Sequence, residues 1–220
     1  MVVTKGCVNA RKDETGTGYL HYAYNKNVIK AIIFDFYDVF RTDNYKAWLK
    51  ANALPHEGEW FRACHQQDIG EITNEQFFDR LSELTGRSVT REELSANSTI
   101  DSAVIELAET LKQHYKTALL SNAPSVRIRA ILAEHNLERL FDEIVVSSEV
   151  GLVKPSEEIF HLTLARLGVE AREAIFVDDN VKHTQAAQKL GIQSIQFLSA
   201  QQLKQDLAAL LGFTGHNIDN

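Results

Sequence analysis

Cysteine is almost absent from this chain of 220 residues: Cys7 and Cys64 stand far apart and form no CxxC pair. That removes a disulfide framework from consideration and agrees with a reducing compartment. No apolar stretch is long enough to cross a bilayer, and no secretory h-region lies near the start. Cytoplasm is therefore the expected location, with no membrane partner. Positive charge is also in short supply. Lys and Arg number 23 against 30 Asp and Glu, a formal net charge of -7, and no basic patch of the kind a nucleic-acid surface needs is visible. The eight histidines are scattered, without an HExxH motif or a Cys/His cluster that would suggest zinc. Gly16-x-Gly18 follows no strand and makes a poor dinucleotide fingerprint. There is no internal repeat and no low-complexity tract.

What is present is an alternation of apolar runs and helical patterns. The stretch from Val28 to Phe34 reads as a buried parallel strand. Further strands are expected at Thr117–Leu120, Ile144–Val146, Ala174–Val177 and Ser194–Phe197. Helices are expected at Val126–Leu137, Ser156–Leu167, Val181–Leu190 and Ala200–Leu211, the second with Pro155 at its start and Gly168 at its end. This order implies right-handed βαβ crossovers and an α/β fold: a doubly wound, mostly parallel sheet with helices on both faces. From Asn44 to about Leu94 the signals are helical only. Thr73 with Gln76 and Thr90 with Glu93 have capping-box spacing, and Gly86 closes a helix carrying Phe77, Phe78 and Leu81. The expected organisation is an N-terminal arm at 1–27, a core formed by 28–41 and 105–212, a small helical insertion at 42–104, and a C-terminal tail at 213–220.

Polar residues follow the apolar strands at widely separated places. Asp35 follows the first strand and Ser121-Asn122 the second. Lys154 precedes a helix, and Asp178-Asp179 end another strand. Each has an ordinary explanation taken alone: a turn, a loop, a solvated lysine beside proline, a helix cap. Parallel strands share one carboxyl edge, however, so the strand-end groups converge on one crevice. An aspartate there can act as a nucleophile in phosphoryl transfer, forming an acyl-phosphate that water then hydrolyses. Three clustered carboxylates, Asp35, Asp178 and Asp179, need a cation if all are to stay charged. Mg²⁺ suits an all-oxygen set that keeps room for phosphate and water.

The segments Ile33-Phe34-Asp35-Phe36-Tyr37, Leu119-Leu120-Ser121-Asn122, Gly151-Leu152-Val153-Lys154-Pro155 and Phe176-Val177-Asp178-Asp179-Asn180 come in the order of the haloacid dehalogenase (HAD) superfamily, which the chain resembles from about Val28 to Phe197. The resemblance implies a Rossmann-like core with a small helical cap after the first strand. Its motif pattern is similar to the sugar-phosphate phosphatases and the N-terminal phosphatase of epoxide hydrolases. It implies Asp35 as nucleophile, and Mg²⁺ held by Asp35, the carbonyl of Tyr37, Asp178 and Asp179, with Asp179 the principal acidic ligand of the pair. Lys154 would supply a fixed charge, while Ser121 and the amide of Asn122 would hold phosphoryl oxygens. Arg41 joins them as a candidate substrate contact, and the cap offers Arg62, His65 and Gln66.

Tyr37 departs from the family pattern. Family phosphatases usually carry a second Asp two residues after the nucleophile, as acid for the leaving group and base for water. Here Asp38 comes one residue later, which makes Tyr37 and Asp38 the candidates for that role. Tyr at this position resembles the haloalkanoic acid dehalogenases, which need no metal; the acidic pair opposes that reading. The expectation is a Mg²⁺-dependent hydrolase acting on a small phosphorylated metabolite, with a sugar phosphate among the candidates. The alternatives are a 2-haloacid dehalogenase-like hydrolase and a non-catalytic phosphate-ligand or protein-binding module of the same fold.

Overall fold

The computed structural model describes residues 11–12, 18–19, 29–55 and 57–212. The sequence readings for the rest of the N-terminal arm and for the tail at 213–220 lie outside these residues. Two short strands, β1 (Arg11–Lys12) and β2 (Gly18–Tyr19), pair antiparallel. The main sheet has five parallel strands: β3 (Ala31–Phe34), β4 (Lys116–Ser121), β5 (Glu143–Val146), β6 (Ala174–Asp178) and β7 (Gln193–Gln196). Their order across the sheet is β5-β4-β3-β6-β7. Register is set in the centre by Phe34 opposite Leu119 on one side and Val177 on the other.

Both faces of this sheet are covered, which is why β3 and β6 read as unbroken apolar runs rather than as alternations. Ile32 and Phe34 point into one core with Val104, Leu107 and Leu111 of α5 (Ser102–Lys112) and Leu203 and Leu207 of α10 (Ala200–Leu211). Ile128 and Leu132 of α6 (Ser125–Glu134) complete that face. Ala31 and Ile33 point the other way, into a core with Ile159, Phe160 and Leu164 of α8 (Glu157–Leu167) and Ala187 of α9 (Val181–Lys189). The two-residue alternation of a strand thus divides one sequence between two cores. Pro155 stands just before α8 rather than in its first turn, the N-cap being Ser156. Helix α5 is absent from the sequence expectations, although Val104, Leu107, Ala108 and Leu111 fall on one helical face.

Between β3 and α5 lie α1 (Tyr45–Ala51), α2 (Glu59–Asp68), α3 (Asn74–Thr85) and α4 (Arg91–Leu94). They bury a third, aromatic core of their own: Trp48, Trp60, Phe77, Leu81, Val89 and Leu94. The Trp48 and Trp60 rings stand 5.4 Å apart, and Trp60 and Phe77 5.9 Å. Thr73 and Gln76 form a complete capping box at α3, and Gly86 ends it with φ 67°. At α4 only half the box forms. Thr90 caps the Glu93 amide, but the Glu93 carboxylate turns to the Trp48 indole N–H at 2.8 Å and to Arg87. A buried indole donor and a guanidinium outcompete one exposed cap amide for it.

This helical unit meets the sheet domain at a tight place. Gly70, just past α2, has φ 78°, and a Cβ there would stand 2.9 Å from the carbonyl oxygen of Ser148 in α7 (Ser147–Val150). Only glycine permits that approach.

Candidate active site

The chain runs from β3 through β4 to β5 in one direction across the sheet and through β6 to β7 in the other, so a crevice opens at the carboxyl ends of β3, β4 and β6. Asp35 leaves β3 still tied to the ladder, its amide donating to the Val177 carbonyl at 2.8 Å. Its carboxylate Oδ1 accepts from the Phe36 amide at 2.7 Å and pairs with Lys154 Nζ at 2.9 Å. Asp178, the last residue of β6, holds the same ammonium at 2.6 Å. His183, in the first turn of α9, places Nδ1 3.0 Å from Asp178 Oδ2, and the Asn180 amide donates to Asp178 Oδ1 at 2.8 Å.

One buried ammonium thus serves two buried carboxylates, and the division is unequal. Burial opposes the charge of Asp178, but Lys154 and His183 outweigh it and hold its carboxyl well below the usual range. Among the described residues, Asp35 has only Lys154 and one amide. Burial pushes it far above the usual range, and the neighbouring Asp178 charge adds to the rise. Burial likewise works against the Lys154 charge, but the two carboxylates overcome it and raise its pKa. A further positive charge beside Asp35 would balance the set. Asp35, Asp178 and His183 each offer a ligand atom, all within 4.8 Å of one another. Two buried carboxylates sharing one lysine suit a hard divalent cation. Asp179, half-buried at the following turn, stands outside that trio and accepts from Gln196 Nε2 at its carbonyl, 3.3 Å away.

Lys154 is positioned from across the crevice. The Asn122 side chain donates to the Lys154 carbonyl and accepts from the Lys154 amide, both at 2.9 Å. Asn122 therefore grips the lysine's backbone, leaving its own amide for other work. Ser121 ends β4 fully buried, and its Oγ has no hydrogen-bond partner among the described residues. Tyr37 Oη, Arg41 Nη1 and Arg127 Nη2 are buried and unpartnered in the same way. These orphaned donors mark a place for a ligand, because an unpaired buried polar group is costly.

Tyr37 and Asp38 differ in what they offer. The Arg127 guanidinium carbon lies 5.3 Å from the centroid of the Tyr37 ring, and Phe36 meets the ring edge-on at 5.2 Å. Burial pushes the phenol up to about 12, so at neutral pH it donates and does not act as a base. Asp38 takes a left-handed backbone with φ 55°, and its Oδ1 accepts from the Asp43 amide at 2.8 Å. Its carboxylate is thereby turned into the loop leading to α1.

From the helical unit, Arg62 pairs with Glu59, Gln66 bonds Glu71 and Arg80, and His65 is exposed. None of the three is held toward the crevice. Asp68, at the end of the same helix, is half-buried. Burial pushes its carboxyl up to about 7, Lys154 and Arg127 pull it down, and Asp43 adds to the rise. The residues missing from the sequence reading are therefore His183, Arg127 and Asp68. The first two sit in the opening turns of helices that follow strand-end motifs, a position that could have flagged them.

A sequence profile described as haloacid dehalogenase-like hydrolase matches residues 27–197. The chain is 27% identical over 204 residues to a D-ribitol-5-phosphate phosphatase of Bacteroides thetaiotaomicron, covering 84% of this chain and 99% of that one. Among solved structures, a predicted HAD-like hydrolase from Porphyromonas gingivalis superposes with a TM-score of 0.70 at 20% identity, over 85% of this chain and all of the other. A HAD-family enzyme of B. thetaiotaomicron, solved with magnesium and inorganic phosphate, superposes with a TM-score of 0.61 at 25% identity, over 76% of this chain and 93% of its own. With its central parallel sheet, its switch-point crevice and the profile match across most of its length, the chain belongs to the haloacid dehalogenase-like hydrolase family.

Proposed function

We propose that the protein is a Mg²⁺-dependent phosphatase that cleaves a small phosphomonoester through a phosphorylated Asp35. The observation that carries this is the contact of Asp35 with Lys154 beside the unpartnered hydroxyl of Ser121. A nucleophile, a fixed positive charge and a free donor stand together in a buried place. Asp35 attacks phosphorus while Lys154 offsets the charge gathering on the phosphoryl group. Ser121 Oγ and the Asn122 amide donate to its oxygens. Asp35, the Tyr37 carbonyl, Asp178 and Asp179 would hold Mg²⁺. When bound, the ion neutralises the carboxylates and the phosphoryl oxygens, so that two anions can meet. The relative solved with magnesium and inorganic phosphate supports that assignment.

The substrate class we favour is a phosphorylated polyol or sugar. The ribitol-phosphate phosphatase that matches nearly end to end points that way. So does the mixed lining beyond the phosphate, with Tyr37, Arg41 and Arg127 as donors and Asp43 and Asp68 as acceptors for hydroxyl groups. The test is phosphate release from a panel of sugar, polyol and carboxylic acid phosphates, with and without Mg²⁺. Metal-dependent release from a polyol or sugar phosphate is the expected result. Halide release from a 2-haloacid in the presence of a chelator would replace the proposal with the dehalogenase reading that Tyr37 invites.

A further inference from the structure

The arginines of this chain include two contrasting groups. Arg62, Arg87, Arg139 and Arg172 stand exposed, and each pairs with a glutamate. Arg41 and Arg127 are half-buried, and each keeps one nitrogen, Nη1 and Nη2 respectively, closed to solvent and without a hydrogen-bond partner among the described residues. No carboxylate among those residues pairs with either guanidinium. The cations in water have counter-ions and the cations drawn out of water have none, which is the costly way round.

The two meet at Tyr37. The chain leaving β3 closes on itself there: the Arg41 amide donates to the Phe36 carbonyl at 3.2 Å and the Asp38 amide to the Arg41 carbonyl at 2.7 Å, with Tyr37 and Arg41 paired in a parallel bridge. Arg127, in the first turn of α6, lies over the Tyr37 ring at 5.3 Å from its centroid. The Tyr37 hydroxyl is buried and unpartnered as well, and both guanidiniums act electrically on it. The same loop is fastened to the nucleophile, since the Phe36 amide donates to the Asp35 carboxylate at 2.7 Å. Two guanidiniums and a phenol therefore gather on the β3–β4 side of the crevice, and Asp178 and His183 on the β6 side.

We propose that Arg41, Arg127 and Tyr37 form a second anion site, which selects phosphomonoesters whose leaving group carries a further anionic group, a carboxylate or a second phosphate. The inference rests on the phosphatase reading given above and narrows its sugar or polyol to one that bears such a group. A guanidinium has no acceptor, and a phenol pushed by burial up to about 12 keeps its proton, so the trio offers donors at neutral pH. A substrate hydroxyl supplies an acceptor but no charge, whereas an anion answers both needs. Asp43 and Asp68 act on Arg127 without pairing with it. Burial pushes both of their carboxyls up, whereas at Asp178, which has its ion pair, Lys154 and His183 outweigh burial and hold the carboxyl down. Burial lowers the Arg41 pKa, and the like charge of Arg127 adds to the fall, as expected of a cation awaiting a counter-ion. Asp35 and Lys154 serve the phosphoryl group, so the second site reads the part of the substrate that leaves.

The test uses two matched pairs of esters at saturating Mg²⁺. Glycerol-3-phosphate is set against 3-phosphoglycerate, which has a carboxylate in place of a hydroxymethyl group, and fructose-6-phosphate against fructose-1,6-bisphosphate. Phosphate release gives kcat/KM for wild type, Arg41→Gln, Arg127→Gln and Arg127→Lys, with thermal melting as a check on folding. Wild type is expected to favour the doubly anionic member of at least one pair by about 10–100-fold, and that pair shows which group the site takes. Each Gln variant should bring the ratio to within about threefold by raising KM on the anionic member. Arg127→Lys should keep part of the preference, because the charge stays while the fork is lost. Wild-type protein with no preference in either pair overturns the second anion site and leaves the phosphatase reading standing. So do Gln variants that melt like wild type and lose both members of a pair alike. Calorimetric binding of the same esters to Asp35→Asn separates the two claims where turnover fails. A preference for the anionic member without phosphate release by wild type overturns the phosphatase reading alone; neither preference nor release overturns both.

Discussion

The two walls of the crevice are built on opposite terms. On the core wall, Asp178 is tied to Lys154, His183 and the Asn180 amide, and Lys154 is held by Asp35 and by Asn122 through its backbone. On the wall facing the helical unit, Tyr37, Arg41 and Arg127 keep buried polar atoms with no partner among the described residues. The first arrangement has its charged groups paired and fixed before substrate arrives, leaving the Ser121 hydroxyl and the place of a cation beside Asp35 to be filled, and it needs little reorganisation when charge develops. The second is costly as it stands and is completed by what binds. Fixed charge, with the single hydroxyl of Ser121, suits the part of the substrate that never changes, and the unsatisfied donors of the facing wall suit the part that distinguishes one substrate from another.

Changing the core wall should have the largest effect. Asp35→Asn is expected to remove turnover, by about 10⁴-fold or more, without loss of stability, because the amide retains the shape while Lys154 stays paired with Asp178. Steady-state phosphate release and thermal melting measure both halves. Lys154→Met should be the opposite in stability. It leaves two buried carboxylates without their counter-ion and is expected to cost about 3–5 kcal/mol in a urea titration as well as turnover. The other wall should respond in binding rather than folding. Arg127→Gln removes an Nη2 donor that has no partner among the described residues, together with the guanidinium's packing on Tyr37, so KM should rise about 10–100-fold, as for a lost charged hydrogen bond, with a far smaller change in melting temperature than Lys154→Met brings. A loss of stability as large as that of Lys154→Met would erase the distinction between the walls.

The smallest effect separates them by pH. The Asp68 carboxyl is raised on folding, so the folded state holds a proton that the unfolded chain releases near pH 4. Its contribution is present in full below that value and is lost as pH rises through about 7. Wild-type stability should therefore fall relative to Asp68→Asn between pH 5 and pH 8, by the order of 1–2 kcal/mol once solvent screening is allowed for. Parallel urea titrations at the two pH values measure it, and an unchanged difference would mean that Asp68 is solvated like any surface acid.

The core wall was far more legible in the sequence than the other. β3, β4 and β6 are buried on both faces and read as apolar runs, and their polar end residues announce the carboxyl edge of the sheet. Asp35, Ser121 and Asp178 could be placed together because parallel strands leave no choice about which ends meet. β7 was harder to bound, since Gln193 and Gln196 mark an edge strand with polar residues. On the facing wall the side chains come from helices, and a strand-end rule does not reach them. Arg62, His65 and Gln66 are the contacts that the sequence suggests on α2, whereas the α2 side chain that feels Lys154 and Arg127 is Asp68. Which side of α2 faces the crevice is fixed by Trp60 and Ala63 packing into the aromatic core and by Gly70 against Ser148. Those are contacts between distant residues, and no local spacing records them. His183 and Arg127 escaped for a related reason, their roles depending on which way a helix leaves its strand.

The grip of Asn122 on Lys154 has one more consequence. Its paired hydrogen bonds, one given and one received, act as an added rung between the segment bearing Lys154 and the end of β4, where the backbone has already left the sheet. The stiffness of the sheet is thereby carried into a loop, and the lysine's reach is measured from β4 rather than from the segment that bears it. Gly151, at φ 67°, is held to glycine, but Leu152 and Val153 can vary in composition so long as they deliver Lys154 to that rung, whereas inserting or deleting a residue there would uncouple the ammonium from Asp35. Substitutions at Leu152 and Val153 should be tolerated where changes in the loop's length are not.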